Sequence, residues 1–498
     1  MTIPVVWRTI CGSRTDLLDR VLDGPPRGRF VADHLRWVPG RAVLPERWLP
    51  RQHAAYLRLQ DRAVADTEAG VRLRAAAIRA AAPIPALGRE LVLRYLDSPE
   101  VVLAEAALGA LVWTDRPAEA LPSLLAHAGD DRARVALYAA GRAVRFVPPS
   151  RLPAALRPVL LDSGIKVTSR KEAARLLARY GPPQVMETLL DAYTDQHAHR
   201  DVCAAIVSAA RRRLGTEASW TILGTALRGS REECRAVLAA AVSGVAERHR
   251  ARYAALIIEA CRAADREVRQ MAFGQVPYWA YWAGDITGLV VDHLTDLGEH
   301  RAAAGAAQLL RALRGGGLDV AFERLAERDA ADCGPAGPGA DRPARRRVET
   351  LAQAAVTWAR GTPPDTDRSA MLAAVRQLAA RPAFTATAAA TLVGLGRIDH
   401  LDEIADLCAG RPVLAVRTAA RVATRLRELP SAIDAAALRP AIRRLTARDD
   451  LAGGLFAIEL TRPGATFGWS EPWRDHLLRL REHPDPDVRE EAYAVDMT

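Results

Sequence analysis

The chain has 498 residues, 49% hydrophobic but only 5% aromatic, with 26% charged and a formal net charge of +10. No stretch approaches the ~18 uninterrupted apolar residues of a membrane span, and the six cysteines lie far apart without C-x-x-C or paired Cys/His spacing, so neither a disulfide framework nor a zinc site is expected. The composition describes a core of Ala, Leu and Val, strong in helix propensity and slim enough for helices to stack closely.

Lys166 and Lys171 are the only lysines, so nearly all the basic charge is arginine. The excess of Ala, Arg, Gly and Pro matches the codon bias of a high-GC bacterium, which leaves two readings of the charge open: a by-product of genome composition, or a basic face for an acidic partner.

Residues 1–62 are the least regular. Pro39, Gly40, Pro45 and Pro50, with the Gly/Pro cluster at 24–28, break any long helix, while Trp7, Phe30, Trp37, Trp48 and Tyr56 supply large apolar groups. The segment reads as a cap over the first apolar face of a repeat array, or as a docking module. From residue 63 one phrase recurs: an apolar helix, a turn with an acidic or polar residue, and an Ala/Arg-rich second helix. Matching turns fall at Asp66, Asp97, Asp130, Asp162, Asp195, Gly229, Asp265, Asp296, Asp329, Arg381, Gly410, Asp449 and Asp485, at intervals of 29 to 39 residues apart from one of 52. Self-similarity at this period is the mark of a helical solenoid of about 13 pairs.

The turn chemistry has a physical basis. Asp485 suits the cap of the following helix, Pro486 its first position and Asp487 its positive dipole end, and Val488, Ala492 and Val495 then share a face. Asp265 to Phe273 repeats that order, and Leu93 to Leu111 shows first helix, turn and second helix in succession. Between Asp195 and Asp201, His197 and His199 are two apart, which on a helix faces them differently, so the segment reads as a polar turn rather than a metal site. Pro277 to Asp285 gathers aromatics; if helical, Trp279, Trp282 and Asp285 share one face, and if Pro277 and Gly284 mark a connection, the rings plug the core. The long interval contains 331–347, a Gly/Pro/Arg-rich insertion within one repeat. Its exit places Arg345, Arg346 and Arg347 near a helix start, where an anion such as phosphate or an acidic peptide would relieve the conflict with the dipole. Repeats resume over 348–498. Ser163 and Lys166 have S-x-x-K spacing without its partner motifs, and no P-loop, dinucleotide fingerprint or nucleophile elbow occurs.

This pattern resembles the HEAT repeat, specifically the short bacterial variety also called HEAT-like or lyase-type repeats, over roughly residues 50–498. The resemblance implies an all-α superhelix of the HEAT/armadillo type. It further implies that the turn Asp and the Arg after Val lock neighbouring repeats together, which carries over to Asp265 with Arg269 and Asp485 with Arg489, whereas Asp97 has Ala104 and Glu105 where a base would help. Solenoids hold other molecules on their concave surfaces, so the expected function is a non-enzymatic, cytoplasmic scaffold for a protein partner, with no metal, small-molecule cofactor or membrane. The alternatives are a nucleic-acid binder using arginine ridges, or an enzyme: Trp279, Tyr281, Trp282 and Asp285 resemble the base pocket of HEAT-like alkylpurine DNA glycosylases, and HEAT-like repeats also occur in phycobilisome lyases.

Overall fold

A computed structural model describes residues 4–24, 37–129, 131–195, 199–331, 342–363, 365–428 and 435–497. Among them there is no strand, and two short helices, α1 (Pro4–Gly12) and α2 (Leu18–Leu22), precede thirteen helical pairs. The first six pairs are α3 (Pro50–Ala65) with α4 (Val71–Ala81), α5 (Leu87–Arg94) with α6 (Val101–Leu111), α7 (Pro117–Ala126) with α8 (Ala133–Ala143), α9 (Leu152–Leu161) with α10 (Val167–Tyr180), α11 (Val185–Thr194) with α12 (Arg200–Ala210), and α13 (Glu217–Ala226) with α14 (Arg231–Leu238). Then come α15 (Glu247–Ala260) with α16 (Arg266–Trp279), α17 (Thr287–Thr295) with α18 (Ala302–Ala312), α19 (Leu318–Ala331) with α20 (Pro343–Arg360) and α21 (Ser369–Ala379) with α22 (Thr385–Leu395). The last three are α23 (Leu401–Cys408) with α24 (Pro412–Glu428), α25 (Ala435–Thr446) with α26 (Leu451–Thr461) and α27 (Glu471–Arg481) with α28 (Pro486–Tyr493).

The chain divides into two compact units, one of residues 1–249 and 263–268, the other of residues 250–262 and 269–498. In the first, the second helices of successive pairs pack side by side, α4 on α6 on α8 and α10 on α12 on α14, and the first helices α7, α9, α11 and α13 form the other layer. The second unit repeats the plan with α18, α20, α22, α24, α26 and α28 in one layer and α17, α19 and α21 in the other. Stacked helical pairs in two layers are the helical-repeat solenoid arrangement.

Eleven of the thirteen turn positions sit between the two helices of a pair, and Asp130 lies outside the described residues. Asp329 is the exception. It belongs to the last turn of α19, 4% exposed, and the break in that pair comes later, at residues 332–341, which also lie outside the described residues. Two of the turn acids cap the helix that follows: Asp265 Oδ1 accepts from the N–H groups of Glu267 and Val268 at 2.7 and 3.2 Å, and Asp485 Oδ1 from those of Asp487 and Val488. Asp66, Asp162 and Asp296 instead accept from the N–H two residues on, within the turn.

Small residues set the spacing of the second-helix layer. A Cβ on Gly394 of α22 would lie 2.6 Å from Val356 Cγ2 of α20, and one on Gly454 of α26 would lie 2.5 Å from Val488 Cγ2 of α28. At the amino-terminal end, Trp7, Cys11, Leu18, Trp48 and Tyr56 form one buried cluster with Ala80, Ala81, Ile84 and Leu91 of the first two pairs. Trp7 stacks on Tyr56 at 6.3 Å, and the indoles of Trp7 and Trp48 donate to the Arg41 and Cys11 carbonyls. Tyr56 of this cluster belongs to α3, the first helix of the first pair. Phe30 lies outside the described residues.

Arginine joins repeat to repeat. Arg94 pairs with Asp61, Arg231 with Asp265 and Glu267, Arg324 with Asp292 and Arg376 with Glu403, separations of 27 to 36 residues that span about one repeat. Others cap helix ends. Arg74 Nε donates to the Val64 carbonyl and Arg170 Nε to that of Leu160, each reaching from the first turn of a second helix to the carboxyl end of its own first helix.

Candidate functional site

The predicted ladder residues occupy their expected places but find other partners. Arg269 Nη2 bonds Glu299 Oε1 of the next pair at 2.8 Å, while Arg489 donates to the His483 and Pro484 carbonyls of its own turn. Asp97 is largely exposed, 3.9 Å from His127, and the carbonyls flanking it, of Leu96 and Ser98, are bonded by Arg132 of the following pair. Locking therefore runs through carbonyls and glutamates as well as through the turn aspartate Asp265, which Arg231 of the preceding pair bonds at 2.9 Å.

The aromatic segment is divided by the end of α16. Trp279 is wholly buried and stacks on Tyr253 at 5.1 Å, so it has no open face for a base; the chain then turns through a short 3-10 segment, Ala280–Trp282. Trp282 is half-buried under the Arg250 guanidinium, 5.0 Å from the ring centre, and Tyr281 is 79% exposed. Asp285 is exposed and accepts from the Thr287 N–H at the start of α17. That N–H, then the Thr287 hydroxyl, holds its carboxyl below the usual range, opposite to what a general base at neutral pH requires. The single face of Trp279, Trp282 and Asp285 needed one continuous helix, and Gly284 at φ +70° follows its end. The structure thus corrects the pocket reading and leaves these rings as core and rim.

The arginine triplet does open α20, and the anion that meets it is the chain's own. Arg345 Nη2 lies 2.8 Å and Arg342 Nη1 3.8 Å from Asp329 Oδ2. Arg347 turns inward, 7% exposed, and donates to the Leu294 and Glu299 carbonyls at 2.8 and 3.1 Å. Burial lowers its pKa from the ordinary arginine value. Only Arg346 of the three is exposed, so the triplet is chiefly an internal clamp.

His199 caps α12 by accepting from the Asp201 N–H, and His197 lies outside the described residues. The five described cysteines are free and buried, and burial pushes the thiols of Cys11 and Cys203 up to about 11 and that of Cys261 to about 12. Protonated thiols of this kind are poor nucleophiles and ligands.

A groove that sequence reasoning missed lies in the second-helix layer, over α22 and between α20 and α24, with a cavity of about 620 Å³. Its floor is Ala386, Thr387, Ala390, Thr391 and Gly394, small residues that keep it low. One wall carries Glu349, Gln353, Val356 and Arg360, the other Arg417, Arg421 and Arg425. Arg360 and Arg425 share Glu428, at 2.7 and 3.8 Å. Arg417 and Arg421 are exposed and have no carboxylate partner among the described residues. On the same helix Val413 and Val416 are 65% and 56% exposed. The signal was in the sequence: arginines at 417, 421 and 425 share a helix face with no acid at the intervening i±4 positions.

No family profile matches the sequence, and no curated protein matches it. Among solved structures the chain is similar to one in the complex in which Kap95p binding induces the switch loops of RanGDP to adopt the GTP-bound conformation, at 11% identity and TM-score 0.33, covering 89% of this chain and 73% of that one. It is also similar to a chain of a full-length AP-3 complex in an intermediate open conformation, at 10% identity and TM-score 0.29, covering 89% and 94%. A circular tandem repeat protein gives 16% identity and TM-score 0.12, covering 89% and 85%. At these scores the likeness says nothing about site or partner.

Proposed function

We propose that the chain is a non-enzymatic HEAT-type scaffold that holds a protein partner, with the groove over α22 as the seat and residues 1–62 capping its amino-terminal end. The observation that carries this reading is a row of three arginines, Arg417, Arg421 and Arg425, along one wall of a cavity of about 620 Å³, of which Arg417 and Arg421 are exposed with no carboxylate partner among the described residues. Open cationic and apolar surface together is what a protein-binding face offers. An enzyme reading gains no support from Asp285, which caps a helix, or from the buried thiols. The test is capture of the full chain from a native extract with and without nuclease, with bound protein and nucleic acid quantified. The expected result is a protein at defined stoichiometry that survives nuclease. Nucleic acid alone in the eluate, or loss of every protein with nuclease, overturns the proposal.

A further inference from the structure

We infer that the groove over α22 takes an acidic amphipathic helix of a protein partner, a proposal that rests on the scaffold reading and specifies its ligand. Arg417, Arg421 and Arg425 follow one another at intervals of four residues on α24, so they rise about 6 Å per step and about 12 Å in all. A helix with Glu or Asp at i, i+4 and i+8 presents its carboxylates at the same pitch. Laid along α24, it meets the row one to one in charge-assisted hydrogen bonds. Exposed Val413, one turn before Arg417, continues the row, Leu414 of the same helix lines the groove, and the floor of Ala386, Ala390 and Gly394 is low enough for apolar side chains of the incoming helix. Gln353, exposed on the facing wall, adds an amide donor and acceptor.

A nucleic-acid strand fits this groove less well. No aromatic ring lines it for base stacking. Glu349 on one wall and Glu428 between Arg360 and Arg425 place negative charge where a continuous phosphate backbone would run, yet a peptide helix can spare those positions. A small anion fits poorly too, since the arginines are strung in a row and do not converge on one point.

The test uses the full chain and a labelled alanine-based helical peptide with three glutamates four residues apart and leucines on the adjoining face, read by fluorescence anisotropy. A glutamine version, a lysine version and an oligothymidine strand serve as comparisons. We expect the glutamate peptide to bind and the glutamine version to be at least about tenfold weaker, with each of Arg417→Glu and Arg421→Glu costing about tenfold. Arg474→Glu, the same charge change on exposed α27, leaves affinity unchanged. The Arg417→Glu/Arg421→Glu double variant binds the lysine peptide better than wild type does, a gain that a folding defect cannot produce. Equal binding of glutamate and glutamine peptides, no binding of either, or tighter binding of oligothymidine through the same arginines overturns the proposal. A native partner that survives nuclease and is indifferent to the double variant overturns the groove assignment while leaving the scaffold in place; the absence of any such partner removes the scaffold itself.

Discussion

Replacing Arg347 with methionine tests the claim that the most conspicuous arginine run is internal masonry. The guanidinium is 7% exposed and bonds the Leu294 and Glu299 carbonyls at 2.8 and 3.1 Å. Leu294 is in the last turn of α17, so its carbonyl is one of the helix-end acceptors that the intrahelical ladder leaves to other donors. Glu299 O keeps a second donor, the Ala302 N–H at 3.1 Å. Removing the charged donor from two buried acceptors costs about 2–4 kcal/mol, since bonds from a charged donor are worth about 1.5–3 kcal/mol each. Methionine fills much of the volume, and removal of a buried cation returns part of its desolvation cost, so the expected net loss is about 2–3 kcal/mol. Urea unfolding followed by circular dichroism measures that loss, and hydrogen exchange should place it in α17 and the start of α20. A change below about 0.5 kcal/mol, the range of an ordinary surface substitution, would refute the assignment and return the triplet to the list of binding residues.

Other outcomes follow from the same packing. Burial lowers the pKa of His293 from 6.5 to about 4, so the folded state keeps it neutral while the unfolded chain takes up a proton. Its contribution is therefore complete above pH 6.5 and is lost as pH falls towards 4, by about 3 kcal/mol at most, and His293→Phe should flatten the acid limb of a stability profile. Gly394→Ala forces a methyl to 2.6 and 2.7 Å from the Val356 methyls and should cost about 1–3 kcal/mol in chemical denaturation, with much of the loss recovered in the Gly394→Ala/Val356→Ala pair. Trp279→Ala should cost about 3–5 kcal/mol as a large buried side chain. Asp285→Asn, by contrast, should leave groove binding and overall helicity unchanged by circular dichroism, since Asp285 only starts α17.

The turns were legible because their chemistry is local. A helix must end, the chain must reverse, and the next helix wants an oxygen on its first N–H groups, so Asp265 and Asp485 announce themselves one by one. Asp329 has the same letter but a different physics. It is a buried counter-ion for Arg345 and Arg342, a relation across a break in the pair that no local pattern encodes. Of the two readings of Pro277 to Asp285, the one that puts Trp279 and Asp285 on one face needs an unbroken helix, and the 3-10 turn at Ala280–Trp282 removes that premise. The groove escaped for a further reason. Its arginines are legible as an i+4 row, but their significance depends on what lies beside them, namely the low floor around Gly394 and a facing wall on α20 whose Glu349 pairs with neither Arg417 nor Arg421.

The high arginine content therefore cannot be judged as a single quantity. Some arginines join repeats, some cap helix ends, and some, on both helical layers, face solvent. Inter-repeat pairs such as Arg231 with Asp265 and Arg376 with Glu403 are individually worth only about 0.2–1 kcal/mol at exposed sites. Repetition along the stack makes them useful as register marks, since each rewards one particular neighbour distance. The Arg417 and Arg421 pair has no carboxylate partner among the described residues and carries a cost in mutual repulsion with Arg425 along one helix face. That cost is repaid when carboxylates arrive from outside, so affinity for an acidic helix and relief of repulsion on α24 are two views of one free energy. Binding should accordingly stabilise α24 against hydrogen exchange more than it stabilises α20, whose cationic contribution to the groove, Arg360, is already satisfied by Glu428.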